Sequence, residues 1–261
     1  MSRRAGKSEA PPAREPELDI FGKSSPTGDW SHRRGEPRGL LLGWTVYLMA
    51  ASVVSLGAGA PMMGLDPLSY RPGARKLVVL IAIGLAVLFP VLRLSQHAPP
   101  DRRLRSLLRD VLVMIAPPLA LLWPQVFLAG WPVSVVLALT ACLLAWTLVA
   151  GGIVALVYAP GGKSAAARWI AAVAVVVVAF GGPAVLAARP SGREARLGPM
   201  PGWMLSPITG GYEIVRDRSW SGRPARVDGG HWSAIGMTGG LAGILWLGAG
   251  VARVASRERP A

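Results

Sequence analysis

Apolar residues in this chain come in long runs, and the stretches between those runs hold nearly all of its charge. The longest run, Val111 to Gly162, passes 52 residues without one Asp, Glu, Lys, Arg or His. A single helix of that length would extend about 78 Å, against a bilayer hydrocarbon core of about 30 Å. The run must therefore fold back on itself. Pro124 and the step Gly130-Trp131-Pro132 mark where, since Gly and Pro break regular structure and Trp favours the lipid–water boundary. Val111–Ala129 and Val133–Tyr158 thus read as two membrane helices joined by a tight turn. Helices facing water would carry a polar stripe, and neither run has one.

The same pattern places four further spans, about Gly39–Ala60, Lys76–Leu94, Trp169–Ala188 and Trp232–Ala255. The expected fold class is all-α: a polytopic helical membrane protein with six transmembrane helices. Residues 39–255 form the membrane domain on this reading, with a long external loop at 189–231. Residues 1–38 are polar and Pro-rich, with eight basic and six acidic residues, and are expected as a disordered cytoplasmic tail. Residues 256–261 make a short cytoplasmic tail. No apolar h-region follows Arg3-Arg4 within signal-peptide distance. The ten-residue alternating segments of a membrane β-barrel are absent from the sequence.

Punctuation inside the spans adds detail. Pro90 predicts a kink in the second span, and Gly151-Gly152 a close helix approach in the fourth. Pro117, Pro118 and Pro124 interrupt the third span, and Pro183 closes the Val-rich fifth. These four are candidate pathway or kink residues, because a membrane proline frees a carbonyl that something else must satisfy. Beyond the fifth span, Ser206–Arg216 reads as the start of a short helix or re-entrant turn within an otherwise polar segment.

Composition supports the membrane reading: 52% of residues are hydrophobic and 16% charged, where soluble domains carry about 25%. The net charge of +14 does not indicate nucleic acid. Arg outnumbers Lys by 24 to 4, a bias of GC-rich coding. The basic residues also follow topology. With the N-terminus inside, cytoplasmic segments hold 18 Lys and Arg and external ones 10, which places both termini in the cytoplasm.

Candidate chemistry is sparse. Ser95–Asp110 reads as a short basic amphipathic helix after the stop and cap Pro99-Pro100-Asp101. Arg102, Arg103, Arg105 and Arg109 would lie at the cytoplasmic surface, either as a connector held near anionic lipid or as a docking element for a partner. The lone Cys142 sits in an apolar run and reads as a packing residue. His32, His97 and His231 are far apart in loops, so no metal or haem site is expected. Gly162-Lys163-Ser164 resembles the end of a phosphate-binding loop, but Val157 stands where its first glycine belongs. Glu194, Glu213, Asp217 and His231 are the acid/base candidates of the long loop and read as solvated charges. No cofactor and no enzymatic activity are expected. The centres of the spans carry no ionisable residue, which disfavours transport coupled to an ion gradient. A permease powered by a separate subunit, or a membrane scaffold or accessory subunit, remains.

The C-terminal half resembles the exporter-type permease subunit of ABC transporters, in the class with six spans. An apolar hairpin precedes a Val/Ala-rich fifth span ending near Pro183. A polar external loop, the step Leu205-Ser206-Pro207, a final span and the basic tail Arg253 to Arg257 follow. The likeness covers residues 39–257 by topology and Trp169–Arg257 by local pattern. One departure stands out: the loop after the second span, Gln96–Asp110, is basic and lacks the acidic-then-basic helix with a Gly turn usual there. The resemblance implies a multi-pass protein of a bacterial cell (inner) membrane. A cytoplasmic ATPase subunit would dock near Arg102–Arg109, and a second permease copy, identical or different, would frame the route. Nucleotide chemistry would belong to the ATPase.

Overall fold

The computed structural model describes residues 37–57, 67–95, 103–158, 165–187, 201–217 and 225–257, and these are helical apart from short connections. The helices are α1 (Pro37–Ser52, continued by a widened turn Val53–Gly57), α2 (Pro67–Ser95), α3 (Arg103–Leu122), α4 (Val133–Tyr158), α5 (Ala165–Ala187), α6 (Pro207–Val215) and α7 (Gly229–Arg257). Six stretches of the described residues are long and apolar enough to cross a bilayer: Leu40–Gly57, Pro67–Ser95, Leu104–Leu128, Val133–Tyr158, Ala165–Gly182 and Gly229–Ala255. The protein is a polytopic helical membrane protein. Residues 1–36 of the expected N-terminal tail, Asp101, Arg102, Lys163, Glu194 and residues 258–261 lie outside the described residues, while Pro37 and Arg38 begin α1.

Burial decides which helices are central. In α2 and α4, 61% of the apolar stretch is buried, against 22% in α1 and α7 and 17% in α5. The other spans therefore wrap around α2 and α4 and turn large side chains outward. Val46, Met49, Ile170, Val177, Ile244 and Leu247 are all exposed. In water such a surface would aggregate; in a bilayer it faces its solvent.

Two close approaches set the spacing. At Gly151 and Gly152, α4 meets α7; a Cβ on Gly152 would lie 2.8 Å from the Cβ of Leu245. Trp246 crosses there and donates its indole N–H to the Leu148 carbonyl at 2.9 Å. This is the close approach that the glycine pair predicts. At Gly84, α2 receives the stacked rings of Trp44 and Tyr47, whose centroids are 5.2 Å apart. The Tyr47 hydroxyl donates to the Leu80 carbonyl at 2.7 Å.

Several boundaries differ from the apolar runs. Helix α2 begins at Pro67, before the run, so Arg71, Arg75 and Lys76 are helical. Proline fits a first helical position, and the arginines find partners, described below, that hold this turn. Within α2 the ladder widens at Gly84–Leu88, where the Phe89 N–H reaches the Gly84 carbonyl. Pro90 lies just beyond, and its missing donor accounts for the irregularity expected there.

Helix α3 corrects a second expectation. The basic stretch is not a separate helix lying on the membrane surface. It forms the first turns of the third span, continuous from Arg103 to Leu122. Leu107 and Asp110 are buried, so this stretch is anchored inward among the other helices. Pro117 and Pro118 do not interrupt it either; the helix runs through both and breaks at Trp123-Pro124. Pro124 then starts the short turn Gln125–Leu128 before Gly130, whose φ of 61° permits the reversal.

Candidate functional site

The segment between the fifth and sixth spans holds the first polar site. A turn at Pro201–Leu205 leads into α6, and every residue of α6 except Tyr212 is buried. A solvated polar loop was expected over this stretch, apart from the short helix itself. Burial follows from composition at close range. Gly210 and Gly211 have no side chain to keep neighbours away: a Cβ on Gly211 would lie 3.2 Å from Val78 on α2, and one on Gly210 would lie 3.6 Å from the Cys142 sulfur on α4. Ile214 and Val215 complete an apolar face inside the bundle.

The entry to α6 is fixed by Ser206. Its Oγ accepts from the Ile208 N–H at 3.3 Å as an N-cap, with Pro207 in the first turn. The same hydroxyl donates to the Ala179 carbonyl of α5 at 2.6 Å. Ala179 is four residues before Pro183, so its carbonyl has no i+4 amide to accept from. Thr209 Oγ1 donates to the Trp203 carbonyl at 2.6 Å and closes the turn.

The exit from α6 is charged. Glu213 is buried and pairs with the Arg216 guanidinium at 3.0 Å. Arg216 also lies 5.2 Å over the ring of Trp203, which stacks on Tyr212. Asp217 pairs with both Arg75 and Arg71, the latter at 3.5 Å. Arg71 and Arg75 add bonds from Nε to the carbonyls of Ala129, at 2.8 Å, and Val215, at 3.1 Å. The two arginines thus join the start of α2, the α3–α4 turn and the end of α6. At the start of α7, His231 is buried and its Nδ1 lies 2.7 Å from an Asp228 carboxylate oxygen. The loop carboxylates Glu213 and Asp217 are therefore structural ion pairs rather than solvated charges.

The opposite end of the bundle carries the second site. Arg93, on the last turn of α2, pairs with Asp110 of α3, and both are buried. The Tyr158 hydroxyl at the end of α4 donates to the Arg93 carbonyl at 2.5 Å. Around them Leu94, Leu107, Val154, Ala171 and Ala249 pack from five helices. A charge pair held among apolar side chains ties the helix ends together and costs heavily if one partner is removed. The pair is buried at the ends of two spans, not at their centres.

Two of the expected docking arginines, Arg105 and Arg109, lie on the same helix as Asp110. Arg105 and Arg109 are exposed, one turn apart on α3, while Asp110 points inward. Arg103 starts the helix. The expected pathway or kink prolines form no single cluster with them. Pro117 and Pro118 lie about 12 Å further along α3, from the helix rise. The Trp44 indole donates at 2.7 Å to the Met114 carbonyl, which Pro118 leaves without its helical amide. Pro183 is in α5 and Pro124 is exposed at the break in the third span.

Arg71, Arg75, Arg93 and Asp110 were absent from the sequence candidates. Each sits at a span end, where one charge looks like boundary marking. Only the fold reveals that they pair across helices. Glu213 and Arg216 carried a local signal, an acid and a base three residues apart after a Ser-Pro cap. Among the described residues no group of three His, Cys, Asp or Glu side chains is placed to hold a metal ion. No family model matches the chain, and neither the curated proteins nor the solved structures give a significant match.

Proposed function

We propose that this chain is the permease subunit of an exporter-type ABC transporter in a bacterial inner membrane, moving its substrate with energy from a separate ATPase. The observation that carries the reading is α6. The connection between the fifth and sixth spans turns back into the bundle and packs on α2, α4 and α5, rather than staying outside as a tether. An inserted helix of this kind couples the outer ends of three spans. A movement of α2 or α5 would be felt at the Arg71–Arg75–Asp217 junction.

The other end supplies the input. Arg105 and Arg109 project from the first turns of α3, and Asp110 beside them locks onto Arg93 of α2. A force applied to that surface passes through the buried pair into the central helix. Counting basic residues puts this end in the cytoplasm, together with both termini. The chain holds no active site of its own on this reading; ATP hydrolysis is the partner's.

The test is a search for a nucleotide-binding ATPase encoded beside this gene, its co-purification with the chain, and then ATP-dependent efflux from proteoliposomes. Stable capture lost in R105E/R109E, with ATP-dependent efflux by the intact pair, supports the proposal. Capture without efflux favours the scaffold or accessory subunit instead. An ATPase that neither binds nor responds to the chain overturns both the partner and the transport reading.

A further inference from the structure

We propose that the groove between the end of α2 and the start of α5 binds one anionic phospholipid, its phosphate on Arg168 and part of an acyl chain between the helices. The groove has a volume of about 270 Å³. Val91, Leu94 and Ser95 form one wall. Ala165, Arg168, Trp169 and Ala172 form the other, at the spacing that puts side chains on one helix face. This is a site distinct from the Arg93–Asp110 pair and from α6, and it does not depend on whether the protein transports anything.

Three observations identify the occupant. The walls are apolar apart from Arg168 and Ser95, and the Ser95 hydroxyl is already used on the Leu92 carbonyl at 2.8 Å. Water fills polar cavities and leaves apolar ones dry. A hollow of this volume between the ends of two spans is one that a lipid chain can fill. Second, Arg168 Nε is enclosed and has no hydrogen-bond partner among the described residues. Nε itself is shut off from any ligand, so a phosphate would be held by the terminal nitrogens of this half-buried guanidinium, from which its oxygens accept two parallel bonds. Third, the surrounding charge selects an anion. Arg105 and Arg109 are exposed at the same end, and the nearby acid, Asp110, is occupied by Arg93. A choline headgroup would meet this positive field unfavourably. Trp169, 73% exposed beside Arg168, fits the boundary where headgroups begin. Basic pockets between spans are the usual sites for anionic headgroups.

Native mass spectrometry of the delipidated full chain, titrated with phosphatidylglycerol or phosphatidylcholine, tests the assignment. One phosphatidylglycerol should bind in clear preference to phosphatidylcholine. R168Q should weaken phosphatidylglycerol binding about ten-fold or more, from the loss of a charged hydrogen bond to the phosphate, and narrow its preference over phosphatidylcholine. R109Q, which removes only part of the surrounding positive field, should weaken phosphatidylglycerol far less than R168Q does. A172W, which fills the groove and keeps the charge, should remove the bound lipid; this variant decides the matter if R168Q does not fold. Equal binding of the two lipids, equal losses in R168Q and R109Q, or undiminished binding in A172W would each overturn the proposal. So would displacement of the lipid by millimolar inorganic phosphate, which would mark a phosphate site instead.

Discussion

The Ser206 hydroxyl lies 2.6 Å from the Ala179 carbonyl, the group that Pro183 leaves without a helical amide. One side chain thereby satisfies α5 and caps α6. In a membrane an unsatisfied carbonyl has no water to turn to. S206A should lower stability by about 1–3 kcal/mol, from the lost cap and the orphaned acceptor. Thr at the same place keeps the oxygen and should recover part of the loss. Restoring the amide with P183A should shrink the cost of S206A. Thermal unfolding of the four-protein cycle in detergent measures this; costs that simply add would mean that the two sites are independent.

Trp44 and Met114 repeat the arrangement at Pro118. W44F loses the indole N–H and also the part of the ring that packs over Gly84. It should cost more than the about 1 kcal/mol net worth of one such hydrogen bond. The loss should fall when P118A supplies the missing amide. W44A should cost several-fold more, because Trp44 also fills the space left open by Gly84.

The buried Arg93–Asp110 pair makes an asymmetric prediction. D110L alone removes the buried carboxylate that faces the Arg93 guanidinium and should cost about 3–5 kcal/mol. The double variant R93M/D110L removes both charges and should recover most of that stability. Chemical unfolding in mixed micelles reads the difference. A double variant as unstable as D110L would show that the packing around Tyr158, rather than the charge pair, holds these helix ends.

How much of this was written in the sequence depends on distance along the chain. Six spans were legible because each is a local property: eighteen or more residues with few charges. The Gly151-Gly152 approach and the short helix after Ser206-Pro207 were legible for the same reason. Partners were not. Arg93 and Asp110 look like two boundary charges until α2 and α3 lie side by side. The start of α3 was misplaced because Arg103–Asp110 has surface composition, yet only one side of it, with Arg105 and Arg109, is exposed. Burial of α6 was hidden by its own residues. Thr209, Gly210, Gly211 and Glu213 read as a short helix or re-entrant turn within a polar segment, and become core only where α2, α4 and α5 leave a space that requires small side chains.

Glycines separate these two regimes in a single helix pair. G152A places a methyl 2.8 Å from the Leu245 Cβ, which no rotamer change relieves. It should push α7 from α4 and cost about 1–3 kcal/mol, as overpacked cores do. G240A meets nothing within 4 Å. It should be neutral or stabilising by up to about 1 kcal/mol, the helix preference for Ala over Gly. Thermal unfolding of both variants side by side checks the contrast.

Sidedness can be read from the chain's own chemistry. Cys142 is its single cysteine and is buried, so a membrane-impermeant maleimide should leave the wild type unlabelled in intact cells. Ser134 is exposed one residue into α4, beside the Gly130-Trp131-Pro132 turn, and Arg105 is exposed at the other end of α3. If the proposed orientation holds, with both termini in the cytoplasm, the turn faces outward. S134C should then react in intact cells, and R105C only after the membrane is permeabilised. The reverse pattern would invert the topology and move the Arg105–Arg109 surface out of reach of any cytoplasmic ATPase. Labelling of both sites in intact cells would mean that α3 does not cross the membrane, which its 52-residue uncharged continuation into α4 makes hard to reconcile with a bilayer about 30 Å thick.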